Sequence, residues 1–239
     1  SKLEKLVKPH DHLVSLANLA ELARKEFMRF TGVKEGDLPK GKTFKVFFFS
    51  READFHSFAT ACGGDGDTEN TLGFYSPNLR YMQLFSQEGS ATKVCGLSAD
   101  TIDTFFHEGW HQFFDMLTEQ RPIWLDEGLA EFLGYASVKE QGRVIELGLL
   151  VRVRGETYTR YERIKEMMLN NQHTPLRNFF KFDTAQWNQG EVNHHYAQAW
   201  SIAYYALKGD NDAFRKDYSK LFLELVKGKR AQDVVPEIF

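Results

Sequence analysis

The spacing of apolar positions changes character twice along this chain. From His10 to Phe30 it is helical: Leu13, Leu16, Ala17, Ala20, Ala23 and Phe27 form one stripe, with Asp11 placed to cap the start and Gly32 to stop the end. Thr43 to Phe49, TFKVFFF, is then a β-branched and aromatic run of strand type. A short helix is expected over Ala53 to Ala61, a Gly- and Asp-rich loop over Cys62 to Asn70, and two short strands, Leu72 to Tyr75 and Arg80 to Phe85, turned at Ser76-Pro77-Asn78. Beyond the next polar loop the period returns to helical and stays there. Ser98 or Asp100 can cap a helix running to about Leu117, and Pro122 closes the loop that follows. Further helices are expected over Trp124 to Val138, Thr157 to Leu169, Val192 to Leu207 and Asp212 to Val226.

This order predicts an α+β fold, with a small mixed N-terminal sheet followed by a mainly helical C-terminal part. The 239 residues suffice for one unit, 1–239, made of a lobe over 1–118 and a helical lobe over 119–239. Twenty-one Phe residues predict a core built largely from rings. The formal net charge of −3, with no polybasic stretch, gives no footprint for nucleic acid. No apolar run approaches the roughly 20 residues that a membrane span requires. Cys62 and Cys95 are too few for a disulfide scaffold or a thiolate metal site; one disulfide and two unpaired thiols both fit their placement.

Candidate chemistry concentrates in the helix after Ser98. His107-Glu108-Gly109-Trp110-His111 sets two histidines four apart, on one helical face, where both rings can reach one metal. Zinc accepts imidazole nitrogen and carboxylate oxygen, and a catalytic site uses three protein ligands. Phe105, Phe106, Phe113 and Phe114 make the helix apolar on most sides, so its polar groups need a partner once buried. Fifteen residues separate His111 from Glu127, which lies in Trp124-Leu125-Asp126-Glu127-Gly128-Leu129-Ala130-Glu131-Phe132. Glu127 can complete a His2Glu set, and Glu131, one turn on, can accept the free N–H of a ligand imidazole. A solvated acidic pair at a helix start is the bland alternative. Glu108, one step round the helix from His107, is placed to address the attacking water rather than the metal.

On these residues the chain resembles the gluzincin metallopeptidases, in which a His-Glu-x-x-His helix precedes a second helix bearing a glutamate ligand. Trp124 to Phe132 is similar to the aminopeptidase-type signature of that group, and more so to the peptidase-MA-like domains of bacterial proteins. The likeness covers about Thr104 to Phe132, with a shorter loop before Trp124 than aminopeptidases have. It implies a zincin-like fold, one Zn2+ per chain on His107, His111 and Glu127, and Glu108 as general base. The segment Asn193 to Leu207 is similar to the aminopeptidase-type helix that opens on a catalytic Tyr. That match implies Tyr196 as oxyanion donor, with His194 and His195 as alternatives and Ala199 standing where a Gly is common.

Weaker signals remain. Gly66 to Asn70 echoes a segment that aminopeptidases use to grip a free N-terminus, without its Met, and Asp65, Asp67 and Glu69 alternate without completing a calcium loop; a solvated loop is the better description. One of the two strands, Leu72 to Tyr75 or Arg80 to Phe85, can serve as an edge that pairs with extended substrate. His10, His12, His56 and His173 lack ligand spacing and read as surface or structural. The expected function is zinc-dependent hydrolysis of peptide or protein substrates. The alternative is a zinc-containing binding or scaffold module without turnover.

Overall fold

The computed structural model describes residues 2–41, 43–62, 71–86, 93–94, 97–139, 144–150 and 159–238. Helix α1 (Lys2–Thr31) leads into strand β1 (Val46–Phe49), helix α2 (Glu52–Ala61) and strands β2 (Gly73–Ser76) and β3 (Tyr81–Phe85). A two-residue pair, β4 (Lys93–Val94) and β5 (Leu97–Ser98), precedes α3 (Ala99–Leu117) and α4 (Ile123–Gly134). After the pair β6 (Ser137–Lys139) and β7 (Val144–Glu146) come α5 (Arg160–Leu169), the one-turn helices α6 (Leu176–Phe179) and α7 (Thr184–Trp187), α8 (Val192–Lys208), α9 (Asp212–Val226) and α10 (Ala231–Ile238). The fold is mixed α+β, and no helix among the described residues is long and apolar enough to cross a membrane.

The main sheet is mixed, in the order β1-β3-β2, with β1 parallel and β2 antiparallel to the central β3. Strand β3 is paired on both sides and all five of its residues are buried, so it has no free edge for substrate; β2 is the edge strand that packs on α3. That packing is close. A Cβ on Gly73 would come within 2.7 Å of the Gln83 carbonyl and 3.0 Å of the Thr104 methyl, so only glycine lets β2 lie so near α3.

Ser98 caps α3, its hydroxyl accepting from the Thr101 amide at 3.1 Å, a contact worth about 1 kcal/mol. The helix then passes through the core. Phe27 of α1 meets Trp110 edge-on at 5.6 Å, and Phe222 of α9 stacks on Phe114 at 5.1 Å. Trp110, Phe113 and Phe114 are fully buried; each such ring contributes about 1.5–3 kcal/mol. Of the expected α1 stripe, Leu16, Ala20, Ala23 and Phe27 pack on the core together with Leu19, while Leu13 and Ala17 are exposed.

Helix α4 crosses α8 tightly. A Cβ on Gly128 would stand 2.6 Å from the Ala199 carbonyl oxygen. The helix expected over Trp124 to Val138 ends at Gly134, because Tyr135 leaves helical geometry (φ −80°, ψ 66°) and the β-branched Val138 pairs across to Ile145 in β6 and β7. Strand β1 opens at Val46 rather than Thr43. Helix α5 starts behind a Thr159–Glu162 capping box; the expected start at Thr157 lies outside the described residues, as do Cys95 and the loop carrying Asp65, Gly66, Asp67 and Glu69. Cys62 is a free thiol. Nothing in the apolar period announced α6, α7 or α10, which are too short to show one.

Candidate metal centre

Helix α3 is buried on almost every side. The positions that stay half-buried between Ala99 and Met116 include Thr104, His107, Glu108, His111 and Asp115, which follow one another at helical spacing as a single stripe. Helix α4 is similar: from Trp124 to Tyr135 Glu127 is the one residue not fully buried. The two openings face each other. His107 Nε2 and His111 Nε2 are 3.2 Å apart, and Glu127 Oε2 lies 3.6 Å from the first and 3.5 Å from the second.

These residues fit a metal ion. Tetrahedral zinc with bonds of about 2.1 Å holds its ligand atoms about 3.4 Å from one another, which matches this triangle. Glu127 Oε2 is buried and makes no hydrogen bond, although an orphaned carboxylate oxygen is costly in a protein interior. Two imidazole nitrogens and one carboxylate oxygen are also a donor set that divalent transition metals, zinc among them, accept. Among the described residues, His107, His111 and Glu127 form a group able to hold a metal ion.

The electrostatics point the same way. Burial disfavours a charged His107 ring, yet Glu127, Glu108 and Glu131 raise it above its ordinary value. Burial likewise opposes charge on His111, and Asp126 with Glu127 lifts it well above. Burial pushes the Glu127 carboxyl up, but the two imidazoles hold it far below the usual range. The cluster thus carries a negative potential that favours positive charge at the ring nitrogens, whether a proton or a metal ion. Burial raises Glu108 above an ordinary glutamate despite the pull of His107 and His111, as suits a base. Its Oε2 accepts from the Tyr75 amide of β2 at 2.8 Å, while Oε1 lies 4.0 Å from His107 Nε2.

The surrounding contacts differ from the sequence expectation. Glu131 Oε1 is 3.9 Å from His107 Nδ1, beyond a hydrogen bond, and both its oxygens are held by Arg160 at 2.8 and 2.9 Å. The imidazole with a carboxylate at bonding distance is His111, whose Nδ1 lies 2.8 Å from Asp126 Oδ1. Asp126 Oδ2 in turn accepts from Arg121 at 2.9 Å. Sequence reasoning passed over Asp126, Arg121, Asp115, Tyr75 and Arg160. For Asp126 a signal existed, since it directly precedes Glu127; for the others only packing reveals the contact.

Tyr196 sits on α8 beside this group. The Arg160 guanidinium lies 5.2 Å from its ring centre, and Trp187 meets the ring edge-on at 5.3 Å. Burial, followed by the charges of Glu127, Glu131 and Glu108, raises its hydroxyl pKa, so it stays a donor. His195 is turned elsewhere: its Nδ1 lies 2.8 Å from the Trp187 carbonyl, and its ring packs among Phe179, Phe182 and Trp187. The His194 side chain is partly exposed. His56 faces Glu52 at 3.5 Å on α2, and His173 is partly exposed.

A family model described as a protein of unknown function, DUF1570, matches residues 101–223, just over half the chain, from the first turn of α3 into α9. The matched region contains both histidines, Glu108, Glu127 and Tyr196. No curated protein and no solved structure matches the chain.

Proposed function

We propose that this chain, which belongs to the DUF1570 family of proteins of unknown function, is a zinc-dependent peptidase of gluzincin type. The observation that carries this is the triangle of His107, His111 and Glu127 donor atoms, with the Glu108 carboxylate beside it and the edge strand β2 within reach.

His107, His111 and Glu127 hold the metal, which when bound supplies a Lewis acid to polarise a scissile carbonyl and an attacking water. Glu108 does the proton work. Its Oε2 is fixed by the Tyr75 amide, so Oε1 is the atom that takes a proton from the water and passes it to the leaving amine nitrogen. The Tyr196 hydroxyl donates to the oxygen that gains negative charge as the carbonyl is attacked. The free edge of β2 runs past Glu108, and an extended peptide can pair along it.

The test combines metal analysis of the purified protein with a screen of unstructured proteins and peptide libraries, each with a chelator control. Chelator-sensitive cleavage that falls with Glu108→Gln supports the peptidase. A zinc-loaded wild type that cleaves none of them overturns it in favour of a metal-dependent binding module.

A further inference from the structure

One line of polar contacts runs from the metal group to the sheet. Glu108, His111 and Asp115 occupy positions i, i+3 and i+7 of α3, so they share a face. Tyr75 of β2 crosses that face and touches both ends of it. Its backbone N–H donates to Glu108 Oε2 at 2.8 Å, and its hydroxyl donates to Asp115 Oδ2 at 2.7 Å. The middle of the face is held from the other side. Arg121, in the loop between α3 and α4, bonds Asp115 Oδ1 through Nη2 and Asp126 Oδ2 through Nη1, both at 2.9 Å. Asp126 Oδ1 then meets His111 Nδ1. All four oxygens of the two aspartates are used once each, in the order Tyr75, Asp115, Arg121, Asp126, His111.

Burial makes this chain more than surface decoration. The side chains of Asp115, Arg121 and Asp126 are only 13, 20 and 11% exposed, so the charges act in a medium where they are little screened. Arg121 stands between two aspartates; without it, each keeps one hydrogen bond, to Tyr75 or to His111, but the two partly buried carboxylates lose the guanidinium charge they share. Arg80, 3.9 Å from Asp115 and 55% exposed, is too distant and too solvated to replace it.

We infer that Arg121 and Tyr75 are positioning residues that couple the metal ligand His111 to the order of the β2 edge beside Glu108. Positive charge placed at His111 Nε2 makes its Nδ1–H a stronger donor to Asp126, which tightens each link outward to Tyr75. Coupling is reciprocal, so ordering β2 strengthens metal binding by the same factor. A peptide lying on the β2 edge then reports to the metal group through Tyr75. The coupling rests on the metal assignment made above, but not on turnover.

The experiment is amide hydrogen–deuterium exchange over residues 71–86 of the intact chain, zinc-free and zinc-loaded, for wild type, Arg121→Gln and Tyr75→Phe. Zinc affinity is measured on each by competition with a chromophoric chelator. Zinc should slow exchange at residues 73–76 of the wild type, and both variants should lose that slowing. Affinity should fall about 10- to 100-fold in Arg121→Gln, and in Tyr75→Phe by the same factor by which zinc slows exchange in the wild type, because the coupling is reciprocal. Should Arg121→Gln fail to fold, Tyr75→Phe, which removes one hydroxyl, decides the matter alone. Equal slowing in wild type and Tyr75→Phe overturns the coupling and leaves the peptidase proposal untouched. A coupled wild type that cleaves no peptide overturns the peptidase and leaves the coupling standing, whereas failure to take up zinc overturns both.

Discussion

Arg160 grips both carboxylate oxygens of Glu131, through Nε at 2.8 Å and Nη2 at 2.9 Å, and so ties α5 to α4 directly behind His107. The pair is largely buried, at 6% exposure for Glu131 and 21% for Arg160. Glu131→Ala should therefore act first on stability, because it leaves a guanidinium without its counter-charge. A loss of about 3 kcal/mol is expected in denaturant unfolding, and Glu131→Leu combined with Arg160→Met should recover most of it. A Glu131→Ala protein of unchanged stability but about 10- to 100-fold weaker zinc binding would show instead that Glu131 serves His107.

Glu108→Gln keeps the size of the side chain and an oxygen for the Tyr75 amide, while removing the base. Zinc content and unfolding midpoint should match wild type, and peptide hydrolysis should drop by about 10²- to 10⁴-fold. Cleavage at the wild-type rate would remove Glu108 from the mechanism.

Glu127 contributes the one carboxylate oxygen of the donor triangle, Oε2, which makes no hydrogen bond and faces the two imidazoles at 3.5 and 3.6 Å. Glu127→Ala should thus weaken zinc by orders of magnitude while the far-ultraviolet circular dichroism stays native. Wild-type should bind one zinc per chain by elemental analysis, and full occupancy of the variant would mean that another residue completes the site.

Tyr196→Phe removes a hydroxyl but keeps the ring that packs on Trp187 and Arg160. A transition-state contact predicts kcat lower by about 10²- to 10³-fold with KM little changed. If kcat is unaffected, the Tyr196 side chain is a packing element of α8.

Gly128→Ala tests the crossing that brings α4, and with it Glu127, to its place. The added methyl would meet the Ala199 carbonyl at 2.6 Å, and backbone on both sides resists the shift, so a cost of about 1–3 kcal/mol is expected. Chemical denaturation measures it, and a change within the scatter of neutral surface substitutions would show that the helices can separate without penalty.

Local periodicity determined a good part of this protein in advance. The i, i+4 spacing of His107 and His111 brings both rings to one face of any helix, and the buried aromatic flanks of α3 follow from the same period. The strand pair around the Ser76–Pro77 turn, the Ser98 cap and the Asp212–Val226 helix are short-range matters too, legible from neighbours in the chain. Tertiary structure decided the rest. Which strand forms the sheet edge depends on the parallel pairing of β1 with β3, a long-range choice that no local pattern encodes. Tyr75 meets Asp115 across 40 residues, and Arg160 meets Glu131 across 29. Such charged and hydroxyl groups look like any solvated side chain until packing removes the water around them. Only then does each need a partner, and the partner is whatever the fold has brought within 3 Å.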